Sequence, residues 1–217
     1  MKKLFIVALL ATLISLPSFS QFTTSFYGGS NVSWLRYGEL DQPTGIPGLS
    51  QVESDVSDAK ISGELGLRTQ FFLSHNMLLK TGVGYSARGF DEVLGHLDTE
   101  TELRVALRYL DIPVMIGTFR FMDHHTGNIV TLAAGFQYSR LLSSGISTRS
   151  VGAWNEVSHQ TDMVFKQNSI SVIGSFTVQP SRLYLEATGG LGLTSPLEKG
   201  SGSLPFFFQM RAGVNLF

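Results

Sequence analysis

Seven ionisable residues stand in the middle of alternating apolar and polar runs: Glu64, Arg68, Lys80, Arg88, Asp111, Glu186 and Arg211. If those runs are β-strands, all seven share the polar face, as three acids and four bases. Brought together in an enclosed space, they would form ion pairs with ordered water, because an unpaired charge there is costly. The first expectation is therefore a plugged, rigid lumen. The second is a gated, narrow ion path.

Other constellations offer less. His75, His96, His124, His125 and His159 are the five histidines. The His124-His125 pair beside Asp123 lacks a third ligand at useful spacing for a metal. His96 and His159 fall in different predicted loops, where an acid and a serine would have to complete a hydrolase or acyltransferase site. No G-x-S-x-G, H-E-x-x-H or phosphate-cradling Gly-rich loop is present. The chain has no Cys, which excludes disulfides and thiolate metal sites. No catalytic residue, cofactor or metal is assigned.

The acidic residues form a second group. Thirteen of the 17 fall in four predicted long links. These are Glu39, Asp41, Glu53, Asp55, Asp58, Asp91, Glu92, Asp98, Glu100, Glu102, Glu156, Asp162 and Glu198. Only Arg36, Arg104, Arg149 and Lys199 oppose them there. Such loops would give one rim a negative potential and gather divalent cations or a basic partner. No spacing matches an EF-hand. The simpler reading is solvation of the loops.

What positions these groups follows from the rest of the chain. Of 217 residues, the first twenty read as a secretory signal: Lys2 and Lys3, the apolar stretch Leu4–Leu16, Pro17, and small residues before Gln21. The stretch is short of the roughly 20 apolar residues that span a bilayer. No Cys follows it, which excludes a lipid-anchored form. Residues 21–217 are expected to form one domain. Without Lys2 and Lys3 the balance is 14 basic to 17 acidic residues, too acidic for a nucleic-acid binder.

Eight strands are predicted, at about 22–35, 59–72, 77–90, 106–120, 128–142, 166–178, 182–193 and 205–217. Short links carrying turn formers alternate with long ones (36–58, 91–105, 143–165 and 194–204). That alternation suits a transmembrane up-and-down barrel, with short turns on the periplasmic side. The fold class expected is all-β, an eight-stranded antiparallel barrel.

Alternation alone fits two solvents. A lipid-embedded barrel turns its apolar face outward; a soluble, lipocalin-like barrel turns it inward. Mid-strand charges, strands longer than the 9–11 residues or so of a membrane crossing, and aromatics near strand ends favour lipid. Phe22, Phe71, Phe72, Phe119, Phe121, Phe176 and Phe217 would mark the periplasmic level. Trp34, Tyr85, Tyr109, Phe136, Tyr138, Phe206 and Phe207 would mark the outer level.

At the predicted fourth strand, Tyr109-Leu110-Asp111-Ile112-Pro113 resembles the Tyr-Leu-Glu-Ile-Pro segment of the outer-membrane β-barrel ("porin-like") domain family. Gly82-Val83-Gly84-Tyr85-Ser86 through Gly89, Ala134-Gly135 and the ending Gly213–Phe217 are similar to that family's segments too. Asp111 stands where the family usually has Glu, and Phe217 lies out of phase with the apolar row before it. The resemblance implies an outer-membrane location, and a terminal aromatic like that read by the barrel-insertion machinery. It implies no substrate. Pro113 cannot donate to a ladder, so it must occupy a bulge or a position where the missing N–H is tolerated.

The reading reached is a non-enzymatic outer-membrane barrel, a structural or surface-interaction scaffold in contact with membrane lipid. The alternatives are a narrow ion or small-solute channel and a soluble lipocalin-like binder.

Overall fold

The computed structural model describes residues 22–36, 57–74, 76–96, 99–122, 129–150, 153–156, 165–197 and 204–216. The predicted signal segment and the turn carrying His124 and His125 lie outside them.

Among the described residues nine strands follow in chain order: β1 (Phe22–Arg36), β2 (Asp58–Ser74), β3 (Met77–His96), β4 (Thr99–Met122), β5 (Ile129–Ser150), β6 (Ala153–Glu156), β7 (Asn168–Gln179), β8 (Leu183–Gly192) and β9 (Leu204–Asn215). Sequence neighbours from β1 to β5 and from β7 to β9 pair antiparallel, β5 pairs with β7, and β1 pairs with β9. Eight strands therefore close into a barrel with no free edge inside it. The short β6 adds to the C-terminal end of β5.

Side-chain period fixes the two faces. In β7 burial alternates without a break from Ser169 to Thr177, serines and threonine inward, Ile170, Val172 and Phe176 outward. The exposed residues of the eight barrel strands include Phe26, Leu65, Val83, Val114, Phe136, Val172, Leu185 and Met210. The buried ones include every charge of the lumen. This is the reverse of a soluble barrel.

Inward glycines make the close packing feasible. Gly66 and Gly84 lie beside Tyr27 in the ladder, and a Cβ on either would collide with the Tyr27 hydroxyl. Pro113 is accommodated by a local gap. The β3–β4 ladder passes from Thr81↔Val114 to Gly84↔Asp111, while the β4–β5 ladder continues through Pro113↔Gln137.

The strands are unequal. β3, β4 and β5 have 20, 24 and 22 residues, against 12 or fewer in β7, β8 and β9. At roughly 3.3 Å per residue β4 is about 80 Å long, far more than the 9–11 residues or so that cross a bilayer. One wall of the barrel therefore continues as a sheet beyond the rim. The link expected at 91–105 is strand almost throughout. Asp91 and Glu92 belong to β3, and Glu100 and Glu102 to β4, so these four acids are not loop residues. Their charge density concealed a regular alternation, Leu103, Val105 and Leu107 inward with Glu102, Arg104 and Arg108 outward.

Candidate functional site

Register brings the lumen charges into reach of one another. Across the sheet, Thr177 stands opposite Glu186, Glu186 opposite Arg211, Arg211 opposite Gly29, and Gly29 opposite Glu64. Gly29 has no side chain, so Arg211 passes over it. Its Nε and Nη2 donate to the two Glu64 carboxylate oxygens at 2.9 and 3.2 Å. Such a forked pair fixes orientation as well as charge. A third Arg211 nitrogen, Nη1, donates to Glu186 Oε1 at 3.1 Å.

Glu186 is the hub. Its Oε2 accepts from Lys80 Nζ at 2.6 Å, Arg68 Nη1 at 2.8 Å and Thr177 Oγ1 at 2.8 Å. Lys80 also donates to Thr177 and Ser175, so all three of its protons have partners. The Arg68 guanidinium lies 3.5 Å from the centre of the Tyr184 ring, and that of Arg211 lies 4.8 Å from Tyr27. Stacking on ring faces helps to repay the lost hydration.

A second cluster lies nearer the end from which β3, β4 and β5 extend. Asp111 accepts from Arg88 Nη2 and from Ser86 Oγ, both at 2.6 Å, and from Ser139 Oγ at 2.5 Å. Arg88 also faces the rings of Phe207 and Tyr109, at 4.3 and 5.1 Å. Above it the lumen becomes apolar. Leu35, Phe90, Leu103, Val105, Leu107, Tyr109, Ile146, Phe165 and Leu197 form one buried cluster across the tube. Between the two regions lies a cavity of about 30 Å³, bordered by Arg88, Ser33, Ser171, Tyr109 and Phe207. That volume accommodates a water molecule.

All seven residues of the charged set thus point inward, and each has at least one ion-pair partner within it. They divide into a group of five and a pair, Arg88 with Asp111. Chemically the arrangement sets three carboxylates against four cations, and among the described residues an apolar cluster lies beyond it along the lumen.

The acidic set is dispersed. Asp58 heads β2 and is exposed; Asp91 lies 3.6 Å from Lys60 and 3.4 Å from Arg104. Glu102 pairs with Arg149 at 3.7 Å, and Glu156 closes β6. Glu39, Asp41, Glu53, Asp55, Asp98, Asp162 and Glu198 lie outside the described residues, as does His159. His96 ends β3 rather than sitting in a loop. Among the described residues, no group of three or more His, Asp or Glu is placed to hold a metal.

Two aromatics assigned to the outer belt require correction. Tyr109 and Phe207 are buried in the lumen, 4% and 2% exposed. Their parity settles it: Tyr109 shares a face with Asp111, and Phe207 with Gln209. Trp34 and Phe206, by contrast, stack outside with ring centres 5.9 Å apart. The apolar cap was the feature missed, and its signal was the Leu103-Val105-Leu107 alternation.

No family model matches the chain, and no curated protein does. Among solved structures it is similar to Ail, the attachment invasion locus protein of Yersinia pestis, at 11% identity and a TM-score of 0.47, over 90% of this chain and 99% of that one. It is also similar to the outer membrane protein OprG from Pseudomonas aeruginosa, at 12% identity and a TM-score of 0.43, over 89% and 93% of the two chains. A third is the N-terminal β-barrel domain of Pseudomonas aeruginosa OprF, at 12% identity and a TM-score of 0.32, over 90% and 100%.

Proposed function

We propose that this protein is a non-enzymatic integral barrel of a bacterial outer membrane, closed to solutes, that holds a protruding sheet and its acidic loops at the cell surface. The observation that carries this reading is an inversion of polarity along β4. From Leu110 to Ile116 the outward residues are apolar and the inward ones include Asp111. From Glu102 to Arg108 the outward residues are mostly charged and the inward ones are Leu103, Val105 and Leu107. A strand changes its order in this way where its surroundings change from hydrocarbon to water. In hydrocarbon backbone groups must be paired within the protein, and the closed ladder supplies that pairing along the wall apart from local breaks such as the one at Pro113.

In this reading residues 1–20 direct export and are removed, and the insertion machinery places the barrel among outer-membrane lipids. The ion pairs serve as a rigid plug. An eight-stranded barrel has an interior just wide enough for side chains, and here they fill it. The exposed sheet then does the work, recognising a surface partner or, through its acidic loops, divalent cations or a basic protein.

Planar-bilayer recording tests the closure. The mature protein, inserted and shown by gel mobility to be folded, is expected to leave the bilayer silent. Conductance steps that vanish when Arg211 or Glu186 is neutralised would replace the scaffold with a narrow channel. Recovery of the mature protein in a salt-washed soluble fraction without detergent would overturn the membrane reading itself.

A further inference from the structure

We infer that Arg108 on β4 and Arg140 on β5 together form a clamp for the phosphate of a lipid headgroup. Both side chains are exposed on the outer wall of the barrel. Arg140 stands opposite Leu110, two positions from Arg108, so the two guanidinium stems rise from a diagonal pair of neighbouring positions. They sit at the level where β4 changes polarity. Ile112, Tyr138 and Phe136 are exposed on one side of them, and the charged sheet begins on the other.

The charge pattern is what singles them out. Higher on the same wall, Arg104 has Asp91 at 3.4 Å and Arg149 has Glu102 at 3.7 Å. Among the described residues, neither Arg108 nor Arg140 has a carboxylate within 4.0 Å. Two like charges on a diagonal repel, and an anion bound between them removes that cost. The guanidinium fork matches phosphate oxygens in a two-pronged geometry.

A second feature narrows the ligand to a lipid rather than free phosphate. Ser143 pairs with Arg108 and Leu141 with Tyr109, so Leu142 is the extra residue of a bulge. It is turned outward, 54% exposed, beside the two arginines. An apolar side chain in that position offers an acyl chain a contact that free phosphate cannot use. The molecule that fits both requirements carries phosphate and acyl chain together.

This inference rests on the membrane reading above and deepens it. The test is native mass spectrometry and thermal unfolding of the full mature barrel from phosphatidylcholine vesicles, with and without added phosphatidic acid. The wild type is expected to retain phosphatidic acid and to unfold at a higher temperature in its presence. At about fivefold in affinity per arginine, the Arg108→Gln/Arg140→Gln double variant should bind it roughly 25-fold more weakly. Arg104→Gln should bind it as the wild type does. The clamp is refuted if the folded, inserted double variant retains the lipid equally well, or if inorganic phosphate alone gives the same stabilisation. Failure of the wild type to enter vesicles at all would instead remove the membrane reading.

Discussion

Lys80 and Glu186 meet at 2.6 Å in the middle of the barrel, with both side chains fully closed to solvent. The contact joins strands β3 and β8, which are not neighbours in the sheet. A bond across the tube ties opposite walls together, which ladder hydrogen bonds cannot do. Glu186 also serves Arg68 and Arg211, so three cations share one carboxylate, and Glu64 supplies Arg211 with a second.

Glu186→Gln is accordingly expected to destabilise the folded barrel by about 3–5 kcal/mol, the range for removing one side of a buried pair. Lys80→Met should cost less, because Glu186 keeps two arginines. Urea unfolding of both variants in the same detergent or vesicle checks the order. Equal costs would show that the cations share the carboxylate less than the geometry indicates.

The inward glycines give a steric prediction. A Cβ at Gly66 would lie 2.5 Å from the Val83 carbonyl oxygen, and that strand cannot move without disturbing the ladder. Gly189 faces outward with nothing within 4 Å. Gly66→Ala should lose about 1–3 kcal/mol of stability, whereas Gly189→Ala should stay within about 0.5 kcal/mol of the wild type.

Much of the barrel is written in the sequence, and parity is the reason. Arg211 stands between Met210 and Ala212 in a strict alternation, so which of them faces the lumen follows once the solvent is chosen. Which partner Arg211 meets does not follow, because the Glu64 contact depends on register and on the bare position at Gly29. The ends of β4 were the least legible. Glu100, Glu102 and Arg104 made that segment resemble a solvated loop, when it is a strand in water whose apolar residues point inward. Tyr109 shows the same limit: its nearness to the predicted strand start suggests a belt position, but the face it shares with Asp111 puts it in the lumen.

The apolar cap makes a separate claim. Leu107→Ala removes side-chain volume from the cluster around Tyr109 and Ile146, and should cost about 2–4 kcal/mol. Conductance should nevertheless remain absent, because the ion pairs around Glu186 close the tube independently. Steady current through the folded Leu107→Ala barrel would show that the cap alone closes the lumen.

The most direct test of the account is a cysteine scan along β4, which the absence of native Cys makes unambiguous. Single cysteines at Arg104, Ala106, Ile112, Val114 and Ile116 would be exposed to a membrane-impermeant maleimide in intact vesicles. Positions 104 and 106 are expected to react rapidly, and 112, 114 and 116 to be protected until detergent is added. Labelling of Val114 as fast as that of Ala106 would contradict the inversion of polarity, and with it the membrane-embedded barrel.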